Sequence, residues 1–467
     1  MRAGYYNTNA PVTRRQFLRR SGRLGSAAAG TALLSASAGA VGRSAEAGSE
    51  TASVYFEGSV PSTRIAELDQ ERLLATIESE KLKGVISSDA GKSWGPPFAY
   101  LQNGKQLDGF PQSILRLSNG ELGMIYIKNR IIKTASYNTP TRTWFFATSS
   151  DEGKTWSAGV PLDLPVRARW RNEEVPDLEN KGVNHTAFGR LVQLSSGRLV
   201  LPLYWYIGGR HPELHAGGTD LSDGPAHATI RGRRKDRVDG HLYEAAMEGS
   251  FTYFSDDMGK SWTRSTSNLM VWPLPGEGNV GGFGACSEPV LMELKDRRVL
   301  MFMRTNVGRI FQSISQDGGE IWSRTRPTEL PSGDVPCCLG RLRSTGGLLV
   351  IWNQASTQEI QRGYSRGRLS VAISRDEGKT WGSFRTIERS EGLQPIERVE
   401  PPSVRHVRAN EELGTLPDNY AHYHYPSLAF VQGKVLLIYN TGRVDDAGFG
   451  NSWNPKAKVV EESWLYR

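Results

Sequence analysis

Three residues of chemically suggestive type open apolar hairpins at widely separated places in the chain: Arg64 in RIAEL, Glu288 in EPVLMEL and Tyr425 in YPSLAF. An arginine presents a planar, permanently charged fork that matches a carboxylate. A tyrosine hydroxyl ionises only near pH 10, so it becomes a nucleophile when a base such as a glutamate carboxylate stands beside it. Pro111, the stretch His185 to Arg190, and Cys337 with Cys338 hold the corresponding places in other hairpins. A Glu, Arg or Tyr at a strand end is ordinarily a solvated rim residue or a structural pair. The three become a pocket for an acidic ligand only if the fold brings the hairpin starts together.

The elements that would do so are legible as two interleaved repeats. Hairpins of alternating apolar residues around short polar turns run over 64–77, 114–127, 190–205, 289–304, 339–353 and 427–440. Between them recurs Ser-x-Asp-x-Gly-x-Ser/Thr-Trp, at 87–94, 149–156, 255–262, 315–322 and 374–381, with Ile321 the one departure. The pattern is that of a tight turn. The Asp accepts N–H bonds inside its own turn, the Gly supplies a positive φ, and the Trp folds back as a plug between neighbouring sheets. Successive Asp residues lie 62, 106, 60 and 59 residues apart. Sixty residues make one four-stranded blade, so the long gap is a blade carrying an insertion, placed at about 207–249. Six hairpins and five boxes predict an all-β, six-bladed β-propeller. Residues 456–466 are expected to close the ring with a strand near 53–57, which removes the sheet edges. In such a ring the starts of the innermost strands converge on the axis.

The boxes are those of the Asp-box (BNR-repeat) proteins of the sialidase superfamily, which the chain resembles over most of its length. The resemblance implies an exo-α-sialidase-like glycoside hydrolase with an arginine triad around a tyrosine nucleophile. SEPVLMELKDRRVLMFMR resembles the segment in which a Glu opens the inner strand and an Arg closes the next, giving Glu288 and Arg304. Arg366, ahead of the strand leading to the fifth box, matches the third triad arginine, and Arg64 the first, although Ala66 replaces the usual Pro. Tyr425 takes the nucleophile's place, with Glu288 as its activating base. Arg64, Arg304 and Arg366 would hold the substrate carboxylate. A neutral phenol suits a substrate whose own carboxylate would repel an anionic nucleophile. Two features depart from the family. The stretch 78–94 holds Glu78 and Glu80 but no Asp before the box, where the family carries its general acid, and Asn440 stands where a Glu steadies the first arginine. Asp220, Asp223, Asp236 and Asp239 of the insertion are candidate replacements. The expected partners are sialylated or other acidic glycans. A glycosidase or lyase for another anionic polysaccharide, and a non-catalytic glycan-binding propeller, are the alternatives.

No cofactor is expected. His422 and His424 alternate as a metal pair would, but no third ligand stands out, so no metal site is assigned. His185 reads as structural, Cys337 and Cys338 as a buried inert pair, and RGRRKD at 231–236 as a solvated loop or a contact for a sugar acid. Thr13 to Leu18, TRRQFL, matches the twin-arginine export pattern, followed by a small-residue run and cleavage triplets at 36–38 and 45–47. The expected organisation is a signal peptide and short linker over 1–47 and one propeller over 48–467, exported to the periplasm or beyond and monomeric. The formal charge of +8 is largely a property of the leader, since residues 1–38 carry six Arg and no acid. Nothing argues for nucleic acid. Three cysteines build no disulfide framework, and no segment of the expected mature chain is apolar and long enough to span a membrane.

Overall fold

The second strands of the hairpins are apolar on both faces, as in LLVIW and VLMFMR, and such runs are stable only where neighbours cover both sides of a sheet. A ring of radially packed sheets provides that. The computed structural model describes residues 54–77, 81–133, 138–162, 169–170, 173–174, 184–186, 189–207, 247–271, 286–305, 307–333, 335–361, 364, 366–400, 417, 419–443 and 454–466. The leader over 1–47, Glu78, Glu80 and the four acids of the insertion lie outside the described residues. Six blades follow one another along the chain.

Blade one comprises Ile65–Glu67, Leu73–Ile77, Lys83–Ser87 and Phe98–Ala99, and blade two Phe110–Arg116, Leu122–Lys133, Asn138–Ser149 and Val160–Pro161. Blade three has its inner edge in two pieces, Asn184–Thr186 and Val192–Gln193, followed by Leu199–Ile207, Met247–Ser255 and Thr263–Arg264. Blade four is Ser287–Glu293, Val299–Arg304, Arg309–Ser315 and Arg326–Pro331; blade five is Cys338–Arg341, Leu348–Trp352, Arg368–Ser374 and Gly382–Arg389. Blade six runs Ala421–Val431, Lys434–Arg443 and Asn454–Glu461, and its outer strand is Val54–Ser59 from the other end of the chain, paired antiparallel with Asn454–Glu461. One apolar cluster fills each junction between neighbouring blades, including the junction of blade six with blade one, where Leu436, Ile438 and Val459 meet Leu73, Ala75 and Val85.

Each box is the turn between the third and fourth strands of its blade. In the first, Asp89 accepts the Ser93 N–H at 2.8 Å and the Ser93 hydroxyl at 2.6 Å, while the Gly91 N–H donates to Ser87 Oγ at 2.9 Å. Gly91 has φ of 86°, and the residue before it, Ala90, is also left-handed at 58°. The same holds for Glu152, Met258 and Glu377, and the fourth box places a second glycine there, Gly318 at 74°. The box tryptophans cross to the preceding blade: Trp156 packs 5.1 Å from Tyr100, Trp262 5.5 Å from Phe146 and Trp381 5.8 Å from Phe302. Blade six has no box for a topological reason. Its third and fourth strands come from opposite ends of the chain, so no turn joins them. The 3₁₀ turn Glu462–Tyr466 makes the inter-blade contact instead, with Glu462 accepting the N–H of Arg343 at 2.9 Å and of Ser344 at 3.0 Å.

Three inner strands carry a proline at their start, and there the pairing slips. The register shifts between Pro111 and Ser113, between Ser287 and Val290, and between His424 and Ser427. Proline has no N–H for the ladder, so the strand bulges and turns the adjacent side chain away from the regular alternation. Glu288 and Tyr425, each immediately before a proline, are left-handed, with φ of 44° and 49°. Such a conformation costs a non-glycine residue about 1–2 kcal/mol.

Candidate active site

The bulges of blades four and six aim their residues at one another. The Tyr425 hydroxyl donates to Glu288 Oε1 at 2.7 Å, joining two residues 137 positions apart. Arg304 closes the strand next to Glu288, with its Cα opposite Ser287, and its Nη1 donates to Glu288 Oε2 at 2.8 Å. Arg366 comes from blade five. Its guanidinium carbon stands 5.7 Å from the centroid of the Tyr425 ring. Asn353 holds that corner, donating to the carbonyls of Arg368 at 2.9 Å and Tyr423 at 2.7 Å, and the Tyr423 N–H donates to the Arg366 carbonyl at 3.0 Å. Glu288, Arg304 and Arg366 are all buried.

Arg64 lines the same small cavity of about 50 Å³ as Glu288 and Tyr425, together with Gln112, Arg190 and Cys337. Its Nη1 donates to Thr63 Oγ1 at 3.1 Å. The structure therefore brings together all five residues singled out from the sequence: Arg64, Glu288, Arg304, Arg366 and Tyr425. Two guanidinium groups, Arg64 and Arg190, line a cavity in which Glu288 is the single carboxylate among the described lining residues, and Arg304 and Arg366 stand against Glu288 and Tyr425. Such a balance selects anions.

Burial pushes the Tyr425 phenol well above the ordinary tyrosine range, and the charge of Glu288 adds to that; Arg304 and Arg366 pull the other way. Tyr425 is accordingly a neutral donor whose proton leaves only to a base in contact with it. His422 and His424 lie beneath it, fully buried, with ring centroids 5.2 Å apart. Burial, then Arg366, push His422 down to about 3, so it is a neutral packing group at ordinary pH. Among the described residues no group of three or more His, Cys, Asp or Glu is placed to hold a metal ion. Cys337 and Cys338 are free, buried thiols, both pushed up by burial.

Two further residues bear on the site: Tyr204, which gave no signal in the sequence, and Arg190, noted there only as the end of the stretch His185 to Arg190. Tyr204, buried in the second strand of blade three, is raised by burial and then by Glu288, Tyr425 and Glu248, which places it within their field. Arg190 opens the RLVQL strand of blade three as Arg64 opens RIAEL in blade one, a parallel that was visible in the sequence. The connection where a general acid was sought is short: strand Leu73–Ile77 is followed by Lys83–Ser87, which leads directly into the first box. Asp108, the nearest aspartate to Lys81, is exposed and ion-paired with it rather than lining the cavity.

A family model described as a BNR repeat-like domain matches residues 78–438. Among solved structures, a protein of unknown function from Dyadobacter fermentans superposes with a TM-score of 0.50 at 14% identity, covering 87% of this chain and 95% of its own. The sialidase of Trypanosoma rangeli gives a TM-score of 0.46 at 13% identity over 87% of this chain, which spans about half, 55%, of that enzyme's length. The K499G mutant of the NanB sialidase of Streptococcus pneumoniae gives 0.47 at 12% identity, covering 87% of this chain and 68% of its own. No curated protein matches the chain. At these identities structural likeness speaks to fold and not to substrate.

Proposed function

The chain belongs to the BNR repeat-like family, and from that premise we propose that it is a sialidase-like glycoside hydrolase, acting on glycans that end in a sugar bearing a carboxylate, sialic acid first among them. The observation that carries this reading is the chain of contacts Tyr425–Glu288–Arg304, phenol to carboxylate to guanidinium, at 2.7 and 2.8 Å. Tyr425 Oη would attack the anomeric carbon while its proton passes to Glu288 Oε1. The bond to the aglycone oxygen breaks as that oxygen takes a proton from an acid. Water then attacks the anomeric carbon and gives a proton to the conjugate base of that acid, while the glycosyl–tyrosine bond breaks and Tyr425 recovers its proton from Glu288. A phenol held neutral by burial needs the base in contact, and the hydrogen bond supplies that contact. Arg366 and Arg64, with Arg304, would receive the sugar carboxylate. The aglycone's acid is assigned to the insertion, where Asp220, Asp223, Asp236 and Asp239 are the candidates.

The test is release of the aglycone from an aryl sialoside, with Tyr425→Phe and Arg304→Ala as controls. Absence of turnover by the unaltered protein across pH 4 to 9 sinks the hydrolase. A second reading, an acidic-glycan-binding propeller without turnover, is favoured by the short connection before the first box. Saturable binding of a sialylated glycan that is never cleaved, and is lost in Arg304→Ala, would establish it. Export by the twin-arginine route belongs to the same proposal, on the strength of residues 13–18. Fractionation of cells producing the full chain or its Arg14→Lys, Arg15→Lys variant tests it, retention of the variant in the cytoplasm being the expected result.

A further inference from the structure

Two cavities lie along the propeller axis. The smaller is the candidate site at the starts of the inner strands. The larger, about 330 Å³, continues along the same strands past Leu115, Leu191, Leu291 and Leu339. Ile65, Ile114, Arg190, Val290, Cys337 and Pro426 line both, and of these Arg190 alone carries a charge. It stands where the site meets a passage lined by aliphatic side chains together with Glu67, Arg116 and Arg341.

The other charged residues of the passage are locally satisfied. Arg341 forms a forked pair with Glu377 at 2.9 and 2.8 Å. Glu67 accepts the Phe430 N–H at 2.8 Å and pairs with Arg343. Arg116 donates to the carbonyl oxygens of Gly120, at 2.6 Å, and Leu68. Arg190 differs. Its Nη2 donates to Ser427 Oγ, a neutral acceptor whose own proton goes to the Thr63 carbonyl at 2.8 Å. Among the described residues it has no ion-pair partner. Arg190 is half-buried, and a partly desolvated guanidinium held by a neutral acceptor gains from an oxygen pair of fitting geometry. The Thr63–Ser427 bridge fixes the fork, so little freedom is lost when an anion docks.

We propose that Arg190 is an oxyanion-binding residue at the inner end of the cavity, taking a carboxylate, sulfate or phosphate group. The group is either free in solution or borne on a sugar as an acidic substituent beyond the carboxylate that Arg64, Arg304 and Arg366 would hold. The inference stands whether or not the cavity hydrolyses anything.

The experiment is calorimetric titration of the full chain at constant ionic strength with inorganic phosphate, with glucuronic acid and with a monosulfated glucuronic acid. The unaltered protein is expected to bind phosphate, and Arg190→Gln to lose about tenfold or more of that affinity. If the anion's source is a sugar, the sulfated acid binds more tightly than the unsulfated one and Arg190→Gln abolishes the preference; if it is free, phosphate binds and the two sugars do not differ. Ser427→Ala, which keeps the charge but frees the fork, decides the matter should Arg190→Gln fail to fold: its phosphate affinity should fall roughly threefold or more. No phosphate binding by the unaltered protein overturns the inference, as does unchanged affinity in Arg190→Gln or, where that variant does not fold, in Ser427→Ala. Affinity lost in Arg366→Gln but unchanged in Arg190→Gln also overturns it, while leaving the carboxylate clamp of the proposed function intact.

Discussion

The box turns and the cavity rim solve the same backbone problem in opposite ways. Both hold non-glycine residues in the left-handed region: Ala90, Glu152, Met258 and Glu377 in the boxes, Glu288 and Tyr425 at the cavity. In a box the strain is answered within eight residues. Asp151, for example, accepts the Thr155 N–H at 2.8 Å and the Thr155 hydroxyl at 2.6 Å, and Gly153 takes the second left-handed position. At the cavity the next residue is proline, and the compensating contact comes from across the ring, Tyr425 of blade six to Glu288 of blade four at 2.7 Å. Strain settled locally can be copied from blade to blade. Among the described residues, strain answered by a contact across the ring is found at the candidate site, where Tyr425 meets Glu288.

The largest expected effect breaks the comparison at the cavity. Tyr425→Phe and Glu288→Gln should each lower aryl sialoside hydrolysis by about 10³-fold, within the range for loss of an acid–base or nucleophilic partner; Tyr425→Phe should do so with little change in melting temperature, whereas Glu288→Gln also breaks the buried pair with Arg304 and should lower it. A Tyr425→Phe protein retaining a tenth of the rate would remove the site from that role. Next, two arginines on one blade-five segment should separate. Arg368 is paired through both nitrogens with Glu359 at 2.7 Å, so Arg368→Met should cost about 3–5 kcal/mol in urea unfolding, as broken buried pairs do. Arg366→Met, which removes the guanidinium beside the Tyr425 ring, should weaken ligand binding as well.

In the boxes, Gly259→Ala drives a Cβ to 2.1 Å from Phe146 at φ of 87°, and should destabilise by about 2–4 kcal/mol through overpacking and strain together. Gly433→Ala, at φ of 70° with open space around it, isolates the strain and should cost about 1 kcal/mol. Equal losses in the two would show that the box glycine is not packed as described. The smallest effect is acid sensitivity. Hydrogen bonds from Ser261 hold the Asp257 carboxyl at about 2, below its ordinary value of 3.8. Its contribution is therefore present above pH 4 and lost as the pH falls towards 2. Asp257→Asn should lower stability at neutral pH and narrow the gap to the unaltered protein between pH 4 and 2, as followed by denaturant midpoints.

The boxes and hairpins were legible because each is a short-range statement: a turn, its caps and a period of two. From them followed the blade count, the place of the long insertion and the expectation that Val54–Ser59 and Asn454–Glu461 meet. Glu288 and Tyr425 were legible as the residues that open apolar strands and through resemblance to the family's motifs; the bulge at the proline after each was decided by the structure. Arg304 and Arg366 were legible through resemblance to the family's motifs. Arg190 shared the signal of Arg64 but had no motif to match. Tyr204 gave no signal, because in LPLYWYI it is one aromatic among several, and what distinguishes it is the face of blade four that it meets.

The sequence by itself determined the repeat, the turn chemistry and the order in which blades follow one another, since these depend on contacts within a few tens of residues. It also explains why five boxes serve six blades, once the last blade is seen to draw on both ends of the chain. Only the tertiary structure decided which partner each charge on the axis meets. Arg366 and Arg368 are the same residue type two positions apart, yet Arg368 forks onto Glu359 while the Arg366 guanidinium lies against the Tyr425 ring. Arg190 and Arg341 both open onto the central passage, and Glu377 pairs with one. Charge compensation depends on distances of a few ångströms between side chains brought together by ring closure, and no local pattern in the chain encodes it.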